Sequence, residues 1–141
     1  MSLNLNQYIP QSGTMDFTTT GTLTSGSVSA NSGTLGFATG AGGAVTQATS
    51  RTTGVTLNKS CGAITLVSAA GSATPATFTV TNSVVAATDI IDINQKSGTD
   101  LYQVFVTAVA AGSFNVTFFT TGGTTTEQPV FNFAVTKAVA A

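Results

Sequence analysis

Apolar and polar residues alternate along most of the chain from about residue 34 onward. In the segment 77–81, Phe78 and Val80 point to one side and three threonines point to the other, which is the pattern of a half-buried strand. Clusters of Gly, Ser, Thr and Asn, which are typical of turns, separate runs of this kind. The runs predicted as strands are residues 36–38, 54–58, 63–67, 77–81, 89–93, 101–109, 113–119 and 130–136.

The last two runs have the clearest faces. Their inward positions are Phe114, Val116 and Phe118 in the first run and Phe131, Phe133 and Val135 in the second. Phe119 falls on the opposite, outward face. Segment 95–100 is predicted as a hairpin loop, and the alanine-rich segments 84–87 and 106–111 are too short and too rich in Val for helices. Short strands without a helix predict an antiparallel β-sandwich or jelly roll.

Residues 1–33 differ in composition from the rest of the chain. They are polar and repetitive, with few large apolar side chains, so they cannot bury enough surface to fold alone. We predict an extended N-terminal arm that adds as a strand to a neighbouring subunit or partner, with a flexible linker as the alternative. Residues 34–141 are predicted to form one β-domain, because 141 residues are too few for two ordinary domains.

Segment 36–59 is rich in glycine and invites comparison with a phosphate-binding loop. Such a loop needs a lysine directly after its last glycine, and here Gly43 is followed by Ala44 and Val45. The residues that follow are rich in β-branched types and disfavour the helix that a phosphate site requires. We interpret the segment as a tight turn between strands, with phosphate binding as the alternative.

Charged residues make up only 6% of the chain, against about 25% in typical proteins. Thr, Ser, Asn, Gln and Gly replace them, and the net charge is -1. A surface with so little charge is weakly protected against self-association, which favours an assembled state. The cations Arg51, Lys59, Lys96 and Lys137 are too few for a basic stripe, so no nucleic-acid partner is expected.

Signals for export or membrane insertion are not expected from the sequence. The N-terminal MSLNLNQYIP has neither the basic region nor the apolar region of a signal peptide. No run of 18 apolar residues occurs, so no membrane partner is predicted. Cys61 is the only cysteine, and we interpret it as a small buried hydrophobic residue.

Residues suited to catalysis are scarce. The chain has no His, which is the commonest general base and metal ligand. Asp89, Asp92 and Asp100 are the only clustered carboxylates, and the first two would point to opposite faces of a strand. We interpret these acids as a solvated strand edge, with a calcium or acid–base site as the alternative. We predict no catalytic residue, no cofactor and no metal, and a depolymerase-type enzyme is the minor alternative.

Four segments together resemble a module of tailed-bacteriophage and prophage genomes. They are residues 36–65, 78–93, 106–118 and 130–141. The resemblance covers about residues 34–141, in order and at matching spacing. The residues that carry it are Gly36, Gly40, Gly42, Gly43, Gly54, Gly62 and the closing Phe133, Ala134 and Val135. It implies a small structural protein of the virion, and no catalytic residue is transferred.

Two functions are consistent with this resemblance. The first is a head decoration, or cement, protein, made in the host cytoplasm and placed on the capsid exterior as a homotrimer whose arm binds the major capsid protein. The second is a tail-fibre or receptor-binding knob that recognises a host surface through a Thr-rich loop at 120–126. The lack of Trp and the presence of only two Tyr leave few rings for stacking on sugars, which favours the first function.

The residues predicted to contact a partner lie in both parts of the chain. They are Leu3, Leu5, Tyr8, Ile9 and Phe17 in the arm and Phe119 in the domain. For Phe119 the alternative is ordinary packing on the second face of its sheet.

Overall fold

The computed structural model describes residues 36–139. The regular elements in this range are all β-strands: β1 (Gly42–Thr46), β2 (Val55–Thr56), β3 (Cys61–Thr65), β4 (Ala69–Ala70), β5 (Ala76–Thr81), β6 (Ile90–Ser97), β7 (Tyr102–Ala110), β8 (Ser113–Thr120), β9 (Thr126–Glu127) and β10 (Val130–Thr136). No helix occurs among these residues. The prediction of an all-β domain is therefore confirmed for this range, and the predicted arm, residues 1–33, lies outside it.

Within the described range the strands form two four-stranded sheets and a two-stranded ribbon. Sheet A has the order β1-β3-β10-β6, sheet B has the order β2-β5-β8-β7, and the ribbon pairs β4 with β9. The inward side chains of sheets A and B belong to one hydrophobic cluster. The predicted inward faces of 77–81, 113–119 and 130–136 are confirmed, because their alternate apolar residues are buried in β5, β8 and β10.

Phenylalanine rings join the two sheets. Phe114 of β8 packs on Phe133 of β10 with ring centroids 5.3 Å apart, and Phe118 packs on Phe131 at 5.5 Å. Each of the four side chains is at most 3% exposed. Truncation of a buried Phe to Ala typically costs about 3–5 kcal/mol, so these rings contribute strongly to holding the sheets together.

Both large sheets are mixed, whereas the sequence pattern predicted antiparallel pairing throughout. Strand β1 pairs with β3 in parallel, and β2 pairs with β5 in parallel; the other pairings are antiparallel. Parallel neighbours require a crossover connection. The chain supplies both crossovers by changing sheets: β2 of sheet B lies in the connection from β1 to β3, and β3 of sheet A and β4 of the ribbon lie in the connection from β2 to β5.

The hairpin loop predicted at 95–100 is wrong. Strand β6 continues to Ser97 and belongs to sheet A, whereas β7 belongs to sheet B, so the connection passes from one sheet to the other. A tight hairpin does join β7 to β8, where Ala110 pairs with Ser113. Its turn contains Gly112 at a φ of 81°, a left-handed conformation that glycine adopts without steric cost.

The glycine-rich segment 36–59 is part turn and part strand. Gly40 has a φ of 89°, and Lys59 donates from Nζ to its carbonyl oxygen at 3.2 Å. The strand predicted at 36–38 is wrong, because these residues are irregular. The strand of this segment is β1, which begins at Gly42 and contains Gly43. A Cβ on Gly43 would lie 2.9 Å from Cδ1 of Leu57. This glycine therefore allows strand β1 to pass directly over a core side chain, a close approach that a count of turn residues does not reveal.

Candidate interaction surface

Asp89 is a buried anchor and not the solvated edge residue that was predicted. Its carboxylate accepts hydrogen bonds from the backbone N–H of Ala86 at 2.7 Å and from Nζ of Lys137 at 2.5 Å, and its side chain is fully buried. The Ala86 N–H, and then the Lys137 ammonium, stabilise the charged form and lower the pKa of Asp89. Asp89 precedes β6, so the strand alternation used to orient it does not apply; Asp92, within β6, is exposed.

Asp100 is also buried, with 7% exposure, so the edge prediction is wrong here too. Its carboxylate accepts the Thr125 N–H at 2.9 Å, and its own N–H donates to Glu127 Oε1 at 2.9 Å. The N–H of Thr99 donates to the other oxygen of Glu127. Partial burial alone would raise the pKa of Glu127, but these two N–H donors, together with the side chains of Thr99 and Tyr102, outweigh it and lower that pKa. Backbone N–H groups thus donate hydrogen bonds to the carboxylates of both Asp100 and Glu127.

The loop at 120–126, suggested for polar ligands, packs against Asp100 and donates a hydrogen bond to its carboxylate. Thr120 is 1% exposed, and its hydroxyl donates to the carbonyl oxygen of Gly123 at 2.8 Å. Gly123 packs against Asp100 so closely that a Cβ there would lie 2.2 Å from Cγ of the acid. The Thr120 hydroxyl is therefore buried and already hydrogen-bonded, so it does not face a ligand.

Arg51 organises the adjoining loops, and sequence reasoning missed it. Its guanidinium donates to four backbone carbonyls and to the Tyr102 hydroxyl, at 2.5 to 3.2 Å. The carbonyls belong to Val67, Ala69, Ala70 and Glu127. The planar fork of Arg suits this multiple donation. Burial raises the pKa of Tyr102, although Arg51 opposes that shift. The Arg51 side chain therefore connects β4, β9 and β7, and its role is to stabilise the fold.

The outward positions of β5, β8 and β7 form a surface that we call the sheet-B face. Its residues, from the alternation and the strand register, are Thr77, Thr79, Thr81, Ser113, Asn115, Thr117, Phe119, Gln103, Phe105, Thr107, Ala108 and Ala110. None of these side chains is ionised at neutral pH. The face therefore contrasts with an ordinary protein surface, on which charged residues are frequent.

The polar side chains of the sheet-B face hydrogen-bond to one another. The hydroxyl of Thr117 lies 2.8 Å from that of Thr77 and 2.9 Å from that of Thr107, and the Thr79 hydroxyl donates to Asn115 Oδ1 at 2.9 Å. Removing water from a polar group costs less when a partner is already in place. The face can therefore be covered without leaving these groups unpaired.

Two aromatic rings lie on the same face. Phe105 of β7 and Phe119 of β8 stack with centroids 6.1 Å apart, and Phe105 remains 48% exposed. Phe119 lies outward as predicted, and its packing on Phe105 also fits the alternative of second-face packing. Phe105 was missed, although its alternation with inward Tyr102, Val104 and Val106 could have identified it. The stacked pair is the aromatic patch of an otherwise hydroxyl-rich surface, and it lies towards the β7 edge.

The outer face of sheet A has a different character. A groove of about 280 Å³ runs over small residues of β1 and β3 and is bordered by Asn132 and Phe133 of β10 and by Lys96. Cys61 lines this groove and is partly exposed, so the prediction of a buried thiol is wrong. Strand alternation explains the difference. The Ile64 side chain points inward, as a Cβ on Gly62 would, so the Cys61 side chain points outward. Asp92 and Lys96 add charge to this face.

The predicted contact residues Leu3, Leu5, Tyr8, Ile9 and Phe17 lie outside the described residues. From residue 36 to residue 139, no three His, Cys, Asp or Glu side chains come together as metal ligands. In the same part of the chain, no helix has the length and apolar character needed to cross a bilayer. No family model, no curated protein and no solved structure matches this chain.

Proposed function

We propose that this chain is a structural protein of an assembly and that it acts by adhesion. More specifically, we propose a capsid decoration protein of a tailed bacteriophage, placed on the capsid exterior and bound to the major capsid protein and to further copies of itself. The sequence resemblance supplies the phage context. The sheet-B face supports the adhesive role.

The single observation that carries the adhesive role is the combination of a stacked, partly exposed aromatic pair and absent charge on one sheet face. Phe105 and Phe119 supply apolar area, and paired hydroxyls such as those of Thr77 and Thr117 surround them. Aromatic residues are enriched and charged residues are depleted at the centres of protein interfaces. A partner that covers this face gains apolar contact and does not bury an ion.

The same proposal includes the finer description of the fold. Sheets A and B share one core, which supports a β-sandwich in which each sheet keeps one outer face for contacts. The parallel pairs β1–β3 and β2–β5 favour a mixed sandwich over an antiparallel jelly roll. Residues 1–33 serve in this proposal as the attachment arm, which binds the capsid by strand addition.

Copy number on purified particles tests the proposal. Virions that encode this chain should carry it in a fixed ratio to the major capsid protein by quantitative mass spectrometry, and antibodies should label heads. A handful of copies per particle, with label on the tail tip, would favour the receptor-binding knob. Absence from particles would refute both virion functions.

Deletion of residues 1–12 tests the arm. We expect incorporation into particles to be abolished, while far-UV circular dichroism and the melting temperature of the β-domain stay unchanged. Phe37→Ser is a matched control, because it removes an exposed ring outside the deleted segment. Normal incorporation of the deletion variant would contradict the role of the arm.

A further inference from the structure

We infer that two copies of this chain bind each other through the sheet-B face, with Phe105 of one copy against Phe105 of the other across a two-fold axis. The inference rests on the proposed adhesive function and names the partner of one face. It differs from the homotrimer predicted from the sequence.

Charge is the first argument for a second copy as the partner. When identical faces meet across a two-fold axis, each charge near the axis approaches its own counterpart, and like charges in close contact repel. The sheet-B face carries no ionised side chain, so self-contact has no such repulsion. The outer face of sheet A carries Asp92 and Lys96, which would be desolvated in a comparable contact.

The edge of sheet B is the second argument. Strand β7 is the longest strand of the described range, with nine residues, and it carries no charge and no proline. Within that range it pairs only with β8. Proteins commonly protect such edges by charge or by very short strands. The edges of sheet A are β6, which carries Asp92 and Lys96, and β1, which is neutral but has only five residues; the other edge of sheet B is β2, with two residues. A contact centred on Phe105 would also cover the long neutral edge.

Closure is the third argument. Among the described residues, the groove near Cys61 is a second surface that could receive an aromatic ring, but it lies on the outer face of sheet A, away from Phe105. Contacts between two different faces repeat from copy to copy, and they form a filament unless the rotation closes a ring. A contact of the sheet-B face with itself closes at two copies and leaves the groove free.

The size of the face indicates a weak contact. Three strands about 4.8 Å apart and six residues at about 3.3 Å each give a footprint of roughly 300 Å² on each copy. This is well below a standard interface of about 800 Å² per partner. We therefore expect pairing to be weak in solution and strong when copies are held together on one particle, where tethering raises the effective concentration.

Sedimentation equilibrium of the full chain tests this inference at concentrations up to about 1 mM, the range that tethering provides. The wild-type mass should rise with concentration from the 14.1 kDa of one chain towards twice that value. Phe105→Lys and Phe105→Glu should each remain monomeric, because each places like charges across the axis. An equimolar mixture of the two variants should recover dimers, because opposite charges then face each other. Ile90→Lys is the matched control on sheet A, where Ile90 is 57% exposed, and it should dimerise like the wild type.

Four results would overturn the inference: a wild-type monomer throughout the range, a wild-type trimer or filament, dimerisation of Phe105→Lys alone, or failure of the mixture to recover dimers. Circular dichroism and thermal melting check that each variant is folded. If a charged variant does not fold, Phe105→Thr replaces it as a β-branched residue suited to a strand, and it should weaken pairing at least tenfold. Copy number on virions does not depend on this result, so the inference and the decoration function can fail separately.

Discussion

Polar groups have opposite uses in two regions of this molecule. In the loop cluster joined by Arg51, Asp100 and Glu127, ionised side chains bind backbone groups and hold loops in place. On the sheet-B face no ionised side chain is present, and hydroxyls such as those of Thr77 and Thr117 bind one another. The comparison teaches that this chain, with only 6% charged residues, uses many of those charges for its architecture and leaves one sheet face neutral.

Replacing Arg51 should produce the largest loss of stability. Arg51→Met leaves four carbonyls without their donor, and we expect the free energy of unfolding to fall by about 3 kcal/mol. Urea denaturation measures this change. Arg51→Lys keeps the charge but not the planar fork, so it should recover only part of the loss. A loss below about 1 kcal/mol for Arg51→Met would contradict the architectural role of this cation.

Gly123→Ala should have the next largest effect. The added Cβ would lie 2.2 Å from Cγ of Asp100, so the carboxylate must move and its bond with the Thr125 N–H is strained or lost. We expect a loss of about 2 kcal/mol in the free energy of unfolding, as for other overpacked sites. Gly36→Ala is the control, because no atom lies within 4 Å of its added Cβ. Equal stability of the two variants would show that the loop cluster is not closely packed.

Acid should weaken the Asp89–Lys137 pair. The pKa of Asp89 is lowered in the folded protein, so the stability from its carboxylate is present above the unfolded pKa and is lost as pH falls through the folded pKa. The ordinary value is 3.8, so the loss belongs below about pH 4.

Asp89→Asn should therefore be less stable than wild type at pH 7, and the difference should shrink near pH 3. Urea denaturation at both pH values measures it. Glu127, whose pKa is also lowered, leaves some acid sensitivity in the variant. Asp92→Asn is the matched control on an exposed site. A constant difference between Asp89→Asn and wild type at both pH values would contradict the role of the Asp89 charge.

Phe105→Ser should have the smallest effect on stability and a clear effect on association. Phe105 is 48% exposed and its main aromatic contact is Phe119, so we expect a loss of about 1 kcal/mol or less in the free energy of unfolding. Self-association should be strongly weakened in sedimentation experiments. A large loss of stability with unchanged association would show that Phe105 stabilises the fold and is not a contact residue.

The sequence pattern predicted the longer strands and their faces, but it missed β1, β4 and β9 and placed a strand at 36–38, which is irregular. Alternation identified the inward residues of β5, β8 and β10, because side chains on successive strand positions point to opposite sides of a sheet. The same rule put Phe119 on the outer face. Alternation does not identify which strands pair, so the parallel pairs and the change of sheet between β6 and β7 were missed.

The polar contacts were the hardest part to predict. Arg51 donates to the carbonyl of Glu127, 76 residues further along the chain, and nothing in the local pattern near either residue indicates this contact. Asp89 and Asp100 were expected at a solvated strand edge, where charge discourages wrong pairing. They are buried because Lys137 and backbone N–H groups from distant segments compensate them.

Concentration-dependent NMR spectra of the full chain test the central claim most directly. In ¹H–¹⁵N spectra, the backbone amides of Phe105, Thr117 and Phe119 should shift progressively as the protein is concentrated. The amides of Asn94 and Ala134, on the outer face of sheet A, should stay constant and serve as the internal reference. Shifts confined to sheet A, or unchanged spectra across the whole concentration range, would contradict the claim that the neutral face of sheet B is a contact surface.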